Sequence, residues 1–133
     1  MTVKDAIRAH REAMNRGDVA SHNKGISDQY FGVFCLGNAG THETYNADEI
    51  RDGNASADYY YRQELKKVPR WAYIDWEWGL RGDSECVVSS RIDFSLDGDV
   101  IMHALVTEVY ALEGDQWRML RQYMEKYRPL HEG

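Results

Sequence analysis

Residues 100–127 read VIMHALVTEVYALEGDQWRMLRQYMEKY, and this stretch decides the fold. Two runs rich in aliphatic and aromatic residues, 100–112 and 116–127, flank Glu113-Gly114-Asp115. Neither run has helical spacing, and a Gly-Asp pair between such runs marks a hairpin. Toward the N-terminus, Asp97-Gly98-Asp99 and Arg81-Gly82-Asp83 bound two further runs, 85–94 and 70–80. The second half of the chain therefore predicts a four-strand antiparallel meander.

Side chains alternate between the two faces of a strand, so parity predicts what is buried. In 70–80, Ala72, Ile74, Trp76 and Trp78 share a face opposite Tyr73, Asp75 and Glu77. In 85–94, Cys86, Val88, Ile92 and Phe94 oppose Ser89, Arg91 and Asp93. The last two strands differ: Met102, Ala104, Val106 and Tyr110 oppose Ile101, Leu105 and Val109, and Leu120 and Met124 oppose Trp117, Met119 and Tyr123. Both faces there are apolar. Helices on one side cannot cover both, so the outer face is expected to pack on a second copy of the chain.

The first half reads as helices around one early strand. Thr2 with Asp5 forms a capping-box pattern, and Val3, Ala6, Ile7, His10, Ala13 and Met14 recur at helical spacing. Gly17-Asp18 punctuates, and a short helix over 19–24 follows. Residues 29–36, QYFGVFCL, predict a buried strand. A polar stretch leads to a third helix that begins at Asn46 or, if Gly53-Asn54 breaks it, at Ser56, and ends near Lys67 before Pro69. The expected fold is α+β: three N-terminal helices packed in a strongly curved, mostly antiparallel sheet, a cone-shaped barrel.

Composition narrows the function. The chain has 133 residues and 15.4 kDa, which suits one domain over 1–133. Its net charge of −6 argues against a nucleic-acid partner, which needs a basic face. No apolar run is long enough to span a bilayer, and the first residues, MTVKDAIRAHREAM, lack an apolar signal core. The expectation is no membrane and a cytoplasmic location. Cys35 and Cys86 are the only cysteines and read as two buried free thiols. Aromatic residues make up 12% of the chain, enough for a core or a cavity rich in rings.

The final hairpin, with Thr107-Glu108-Val109, a Gly114 turn and Trp117-Arg118-Met119-Leu120, resembles the family of nuclear transport factor 2, ketosteroid isomerase and the SnoaL-like polyketide cyclases. The Asn15-Arg16-Gly17-Asp18 turn fits the same pattern, and Tyr60-Tyr61-Arg62-Gln63-Glu64-Leu65 is similar to the third-helix segment of the isomerases. The resemblance covers nearly the whole chain and implies an apolar pocket inside the cone. It puts His10 where the isomerases carry an oxyanion-hole tyrosine, Tyr61 at a supporting tyrosine, and Glu108 near a protonated aspartate. The proton-shuttling aspartate aligns with Val33, and no carboxylate lies within 29–36, so steroid isomerisation is not carried over.

His10 is then a candidate donor or general base, against the alternative of a core-edge histidine. Glu108 is either a desolvated general acid or the partner of an arginine such as Arg91 or Arg121. The expected pocket lining is Tyr30, Val33, Ser90, Val106, Leu120 and Gln122, a few polar groups in an apolar wall. His22, His42 and His131 lack metal-ligand spacing, and no metal or cofactor is expected. The functional expectation is binding of a small hydrophobic ligand, with isomerisation, cyclisation or dehydration by proton transfer. The alternative is a non-catalytic dimerisation or ligand-binding module.

Overall fold

The computed structural model describes residues 2–130, so His131 lies outside them. Helix α1 spans Val3–Asn15, and its expected capping box is formed between Thr2 and Asp5. Helix α2, Val19–Lys24, is capped by the Asp18 side chain. Strand β1 covers Ile26–Cys35 and β2 covers Glu43–Asn46. Helix α3, Ala47–Tyr59, continues into one wider π turn at Tyr60–Glu64. The meander is β3, Pro69–Arg81; β4, Glu85–Leu96; β5, Asp99–Glu113; and β6, Gln116–Tyr127.

Of the two starts considered for α3, the earlier one forms. Asn46 and Glu49 satisfy each other's backbone N–H groups there, and that cap outweighs the roughly 1 kcal/mol lost at an interior glycine such as Gly53. Strand β2 lies in the polar stretch before α3, where the sequence predicts no strand. It pairs antiparallel with β1, and its Tyr45 ring meets Phe34 at 5.1 Å.

The six strands lie in the order β2-β1-β6-β5-β4-β3. All pairings are antiparallel except β1 with β6. The sheet curves round the helices without closing, the α+β cone expected from the sequence. The β4–β5 turn, Asp97-Gly98, has positive φ at both residues, 50° and 88°, as a tight hairpin demands.

The register shifts at four places in the sheet, three of them in the meander, and these bulges correct the simple parity. In β3, Asp75 and Trp76 together oppose one residue of β4, and Asp75 has φ 56°. The face therefore switches. Tyr73, Trp76 and Trp78 look toward α1, while Ala72 and Ile74 look away. In β6, Leu120 is the extra residue between Arg121, paired with Val109, and Met119, paired with Tyr110. Met119 joins Met124 inside rather than opposing it, and both are buried. The third bulge, at Ile101, separates the Phe94–Met102 and Ser95–Val100 pairs. A bulge adds one residue to one strand, so every later side chain changes face.

Helix α1 docks on β3 through a basic stripe. Lys4 sits 4.1 Å over Trp78, and Arg11 sits 3.8 Å over Tyr73 and 4.2 Å over Trp76. Asn15 finishes the helix by bonding both backbone groups of Trp71 on this edge strand, at 2.7 and 3.0 Å. One buried cluster joins Ile7, Ile26, Ile50, Val88, Tyr110 and Met119. A second joins Ile92, Ala104, Val106 and Met124, with Phe34, Trp71 and Met102 packed against it.

Candidate functional site

Between the helices and the concave face of the sheet lies a cavity of about 420 Å³. Its walls are mostly apolar. Trp71, Phe94 and Tyr61 form an aromatic group, with Trp71–Phe94 centroids 4.9 Å apart and Tyr61–Phe94 centroids 5.2 Å apart. Phe34 and Tyr45 form a second pair, and Met102, Met119 and Met124 fill between them. The polar groups that reach it include His22, Asn54, Glu108, Gln122 and Lys126. An apolar hollow with a few convergent polar groups is the usual form of a small-molecule site.

Glu108 is 1% exposed and accepts four hydrogen bonds. Its Oε1 takes Arg11 Nη2 at 2.7 Å, Arg11 Nε at 3.3 Å and the Tyr110 hydroxyl at 2.8 Å. Its Oε2 takes Gln122 Nε2 at 2.8 Å, and Gln122 Oε1 in turn accepts the Tyr30 hydroxyl at 2.8 Å. Tyr30 reaches Gln122 by lying across Gly32, where an added Cβ would stand 2.1 Å from the Tyr30 oxygen. Burial opposes the Arg11 charge, but Glu108, Tyr110 and Tyr73 together outweigh it and the net shift of the guanidinium is upward. Burial, then the neighbouring Glu108 charge, push the Tyr110 hydroxyl well above the usual tyrosine value, so it stays a donor. Desolvation of such a pair is offset only when its hydrogen bonds are complete. Among the described residues one atom of this network is left over: Arg11 Nη1 is buried without a partner.

The two buried histidines stack, ring centroids 3.9 Å apart and 19° from parallel. His10 lies deeper. Its outer side meets Gly25, where a Cβ would stand 2.4 Å from Nδ1, and Tyr110 stands edge-on at 5.8 Å. Among the described residues, neither His10 ring nitrogen has a hydrogen-bond partner. Burial, then the charges of His22 and Arg11, hold its pKa well below 6.5. His22 lines the cavity. Its Nδ1 lies 2.7 Å from the His10 carbonyl oxygen. A carbonyl only accepts, so Nδ1 carries the proton and Nε2 of the neutral ring keeps a lone pair.

No protein-family model and no curated protein sequence matches the chain. Solved structures do. A candidate dehydratase of the NTF2-like family from Streptomyces avermitilis superposes with a TM-score of 0.73 at 16% identity, over 96% of this chain and 94% of that one. An NTF2-like protein from Cytophaga hutchinsonii gives 0.70 at 17%, over 96% and 100%. A candidate calcium/calmodulin-dependent protein kinase type II association domain from Thiobacillus denitrificans gives 0.70 at 14%, over 96% of each chain. The fold is that of the nuclear transport factor 2-like proteins.

Within this nuclear transport factor 2-like cone, the residues singled out in the sequence go to different places. Glu108 and Gln122 reach the cavity, as does Tyr61. Tyr61 does not meet His10, however; its ring packs with Trp71 and Phe94, while His10 faces His22 and Tyr110. His10, the expected donor or general base, stands behind the cavity wall, where His22 rather than His10 lines the hollow. Tyr30, Ser90 and Val106 are buried on the concave side without lining the cavity, and the Ser90 hydroxyl has no partner. Val33 faces the opposite side of the sheet, in an open groove with Cys35 and Tyr123. Cys35 is accordingly half-buried rather than buried, whereas Cys86 is fully buried. Leu120 occupies the β6 bulge.

The partner of Glu108 is an arginine, but Arg11 of α1 rather than Arg91 or Arg121, which pair with Asp75 and Glu85. Strand β1 begins three residues earlier than expected and contains Asp28, an exposed carboxylate bonded to Arg51 rather than a cavity group. His22, Arg11 and Asn54 are the site residues that sequence reasoning missed. The helical stripe of α1 pointed at His10, and Arg11 is its immediate neighbour.

Proposed function

We propose that residues 1–133 act as one ligand-binding domain whose cavity takes a small, largely apolar organic molecule. The observation that carries this reading is the 420 Å³ hollow, lined by Trp71, Phe94, Tyr61, Phe34 and Tyr45, with a few polar groups among them. The reaction class that such a lining serves is proton transfer without a cofactor: isomerisation, cyclisation or dehydration. The similarity to a candidate dehydratase supports that class. The non-catalytic reading draws support from Glu108, whose carboxylate is already engaged by Arg11, Tyr110 and Gln122.

Naphthalene tests the cavity because it offers shape and no polar group. It is expected to bind and to raise the melting temperature. Ala57→Trp, which fills the space from a lining position of α3, is expected to abolish that rise while the variant still melts cooperatively. Equal stabilisation of both proteins by naphthalene, or of neither, overturns the reading.

The same proposal includes a homodimer through the outer face of the sheet. Phe31, Leu105 and Tyr123 of β1, β5 and β6 are 50, 51 and 45% exposed there. An apolar patch across neighbouring strands supports a self-complementary contact. Sedimentation equilibrium is expected to give twice the chain mass. A single 15.4 kDa species at micromolar concentration would remove the dimer.

A further inference from the structure

The part of the cavity around His22 and Glu108 accepts hydrogen bonds more than it offers them. Nδ1 of His22 donates to the His10 carbonyl oxygen, so Nε2 is an acceptor, and among the described residues nothing donates to it. Glu108 Oε2 takes one hydrogen bond, from Gln122 Nε2, and a carboxylate oxygen has room for another. Gln122 spends its carbonyl on Tyr30 and one N–H on Glu108. Asn54 donates its amide to Asn23 Oδ1 at 3.1 Å. His22 and Glu108 both line the cavity.

Charge narrows the ligand further. Glu108 is compensated by the Arg11 guanidinium 2.7 Å away, so this side of the cavity has no uncompensated charge to attract a cation. A carboxylate or phosphate placed there would meet two acceptors and the Glu108 charge, because Lys126, the cationic group of the lining, stands four residues along β6 from Gln122, which pairs with Glu108. A neutral hydroxyl satisfies both conditions, and the aromatic groups on either side suit a flat hydrocarbon body.

We propose that the cavity selects a hydroxylated planar hydrocarbon, of the phenol or naphthol class, whose O–H donates to His22 Nε2 with Glu108 Oε2 as the neighbouring acceptor. The His10 carbonyl is then a positioning group, because it sets the tautomer that makes Nε2 receptive. This inference rests on the cavity being a ligand site. Its failure is distinct from the failure of that reading, since naphthalene reports on the cavity alone.

The probes are naphthalene, 2-naphthol and 2-methoxynaphthalene, which share a ring system and differ in whether they donate a hydrogen bond. The wild-type protein is expected to bind 2-naphthol about tenfold more tightly than 2-methoxynaphthalene, the ratio given by one well-placed neutral hydrogen bond. In His22→Phe, which keeps a ring to stack on His10, that ratio is expected to fall to about one, while naphthalene still binds. Nitrogen NMR of the wild-type imidazoles gives a second readout independent of the variant's folding. The His22 Nε2 resonance is expected to move with 2-naphthol and to stay with naphthalene. Equal affinity for the naphthol and its methyl ether with naphthalene bound, or an Nε2 signal indifferent to naphthol, overturns the inference and leaves the cavity reading standing. No binding of any of the three overturns both.

Discussion

Arg11→Ala is expected to lower the unfolding free energy by about 3–5 kcal/mol, the range for removing one partner of a buried ion pair. Arg11 is 3% exposed, donates to Glu108 twice, and rests on Tyr73 and Trp76. Alanine would remove the guanidinium from all three and leave the Glu108 charge 1% exposed with only Tyr110 and Gln122 to answer it. The whole stability of a domain this size is about 5–15 kcal/mol, so the variant would sit near the edge of folding. A double replacement separates lost packing from stranded charge. Arg11→Met with Glu108→Leu removes both charges and keeps side-chain volume, and it is expected to be less destabilised than Arg11→Ala alone. Urea unfolding followed by tryptophan fluorescence measures both. A loss under 1 kcal/mol for Arg11→Ala, the size of an exposed pair, would mean that Arg11 and Glu108 do not form the closed contact described. A double variant weaker than the single would reject the stranded charge as the cause.

That contact also shows where the sequence was informative and where it was not. Helices α1 and α2 and the order of the meander were legible because caps, Gly-Asp turns and alternation are local signals. The pairing of Glu108 was not. Its neighbours Arg91 and Arg121 are close in the sheet sequence, and nothing local indicates that Arg11 reaches across from a helix 97 positions away. The bulges were the second obstacle. Alternation in β3 and β6 survives on each side of Asp75 and Leu120 but switches face at them, and the sequence around them carries no glycine to mark the switch. This misplaced Met119 on the outside and Leu120 on the inside. Val33 was misplaced for a different reason: β1 is apolar on both faces, so alternation does not orient it, and only the parallel register with Tyr123 does. His22 was passed over because a six-residue helix gives too short a period to reveal a buried face.

The second large effect follows from the stacked histidines, and its sign is fixed by their burial. A free imidazole titrates near 6.5. Burial, then the charges of His22 and Arg11, hold the folded value of His10 well below that, and burial lowers His22. The groups that face the stack work in both directions. Arg11 of α1 opposes protonation of His10, and Glu108 of β5 favours it at His22. Tyr110 of β5 stays neutral, and the His22 backbone favours protonation of His10 without outweighing burial. Below pH 6.5 the unfolded chain therefore binds protons that the folded chain refuses. Stability is fully present above that pH and is lost as the pH falls toward the folded values, by up to about 1.4 kcal/mol per pH unit for each ring that stays neutral. Between pH 6.5 and 5 stability is expected to fall, with His10 contributing through its lowered folded value. The capping carboxylates Asp5 and Asp18 do not share this window, because their folded values are lowered from 3.8 and their contribution is lost only in stronger acid. His10→Phe keeps an aromatic ring against His22 and removes one titrating group, so the slope of stability between pH 6.5 and 5 is expected to become shallower. A proton NMR titration of the wild-type histidines measures the same quantity without a substitution, with His10 remaining neutral at pH 5.5. Stability that is flat from pH 7 to 5, or a His10 signal that titrates near 6.5, would mean that the ring is open to water and that the α1–α2 contact is looser than the stacking describes.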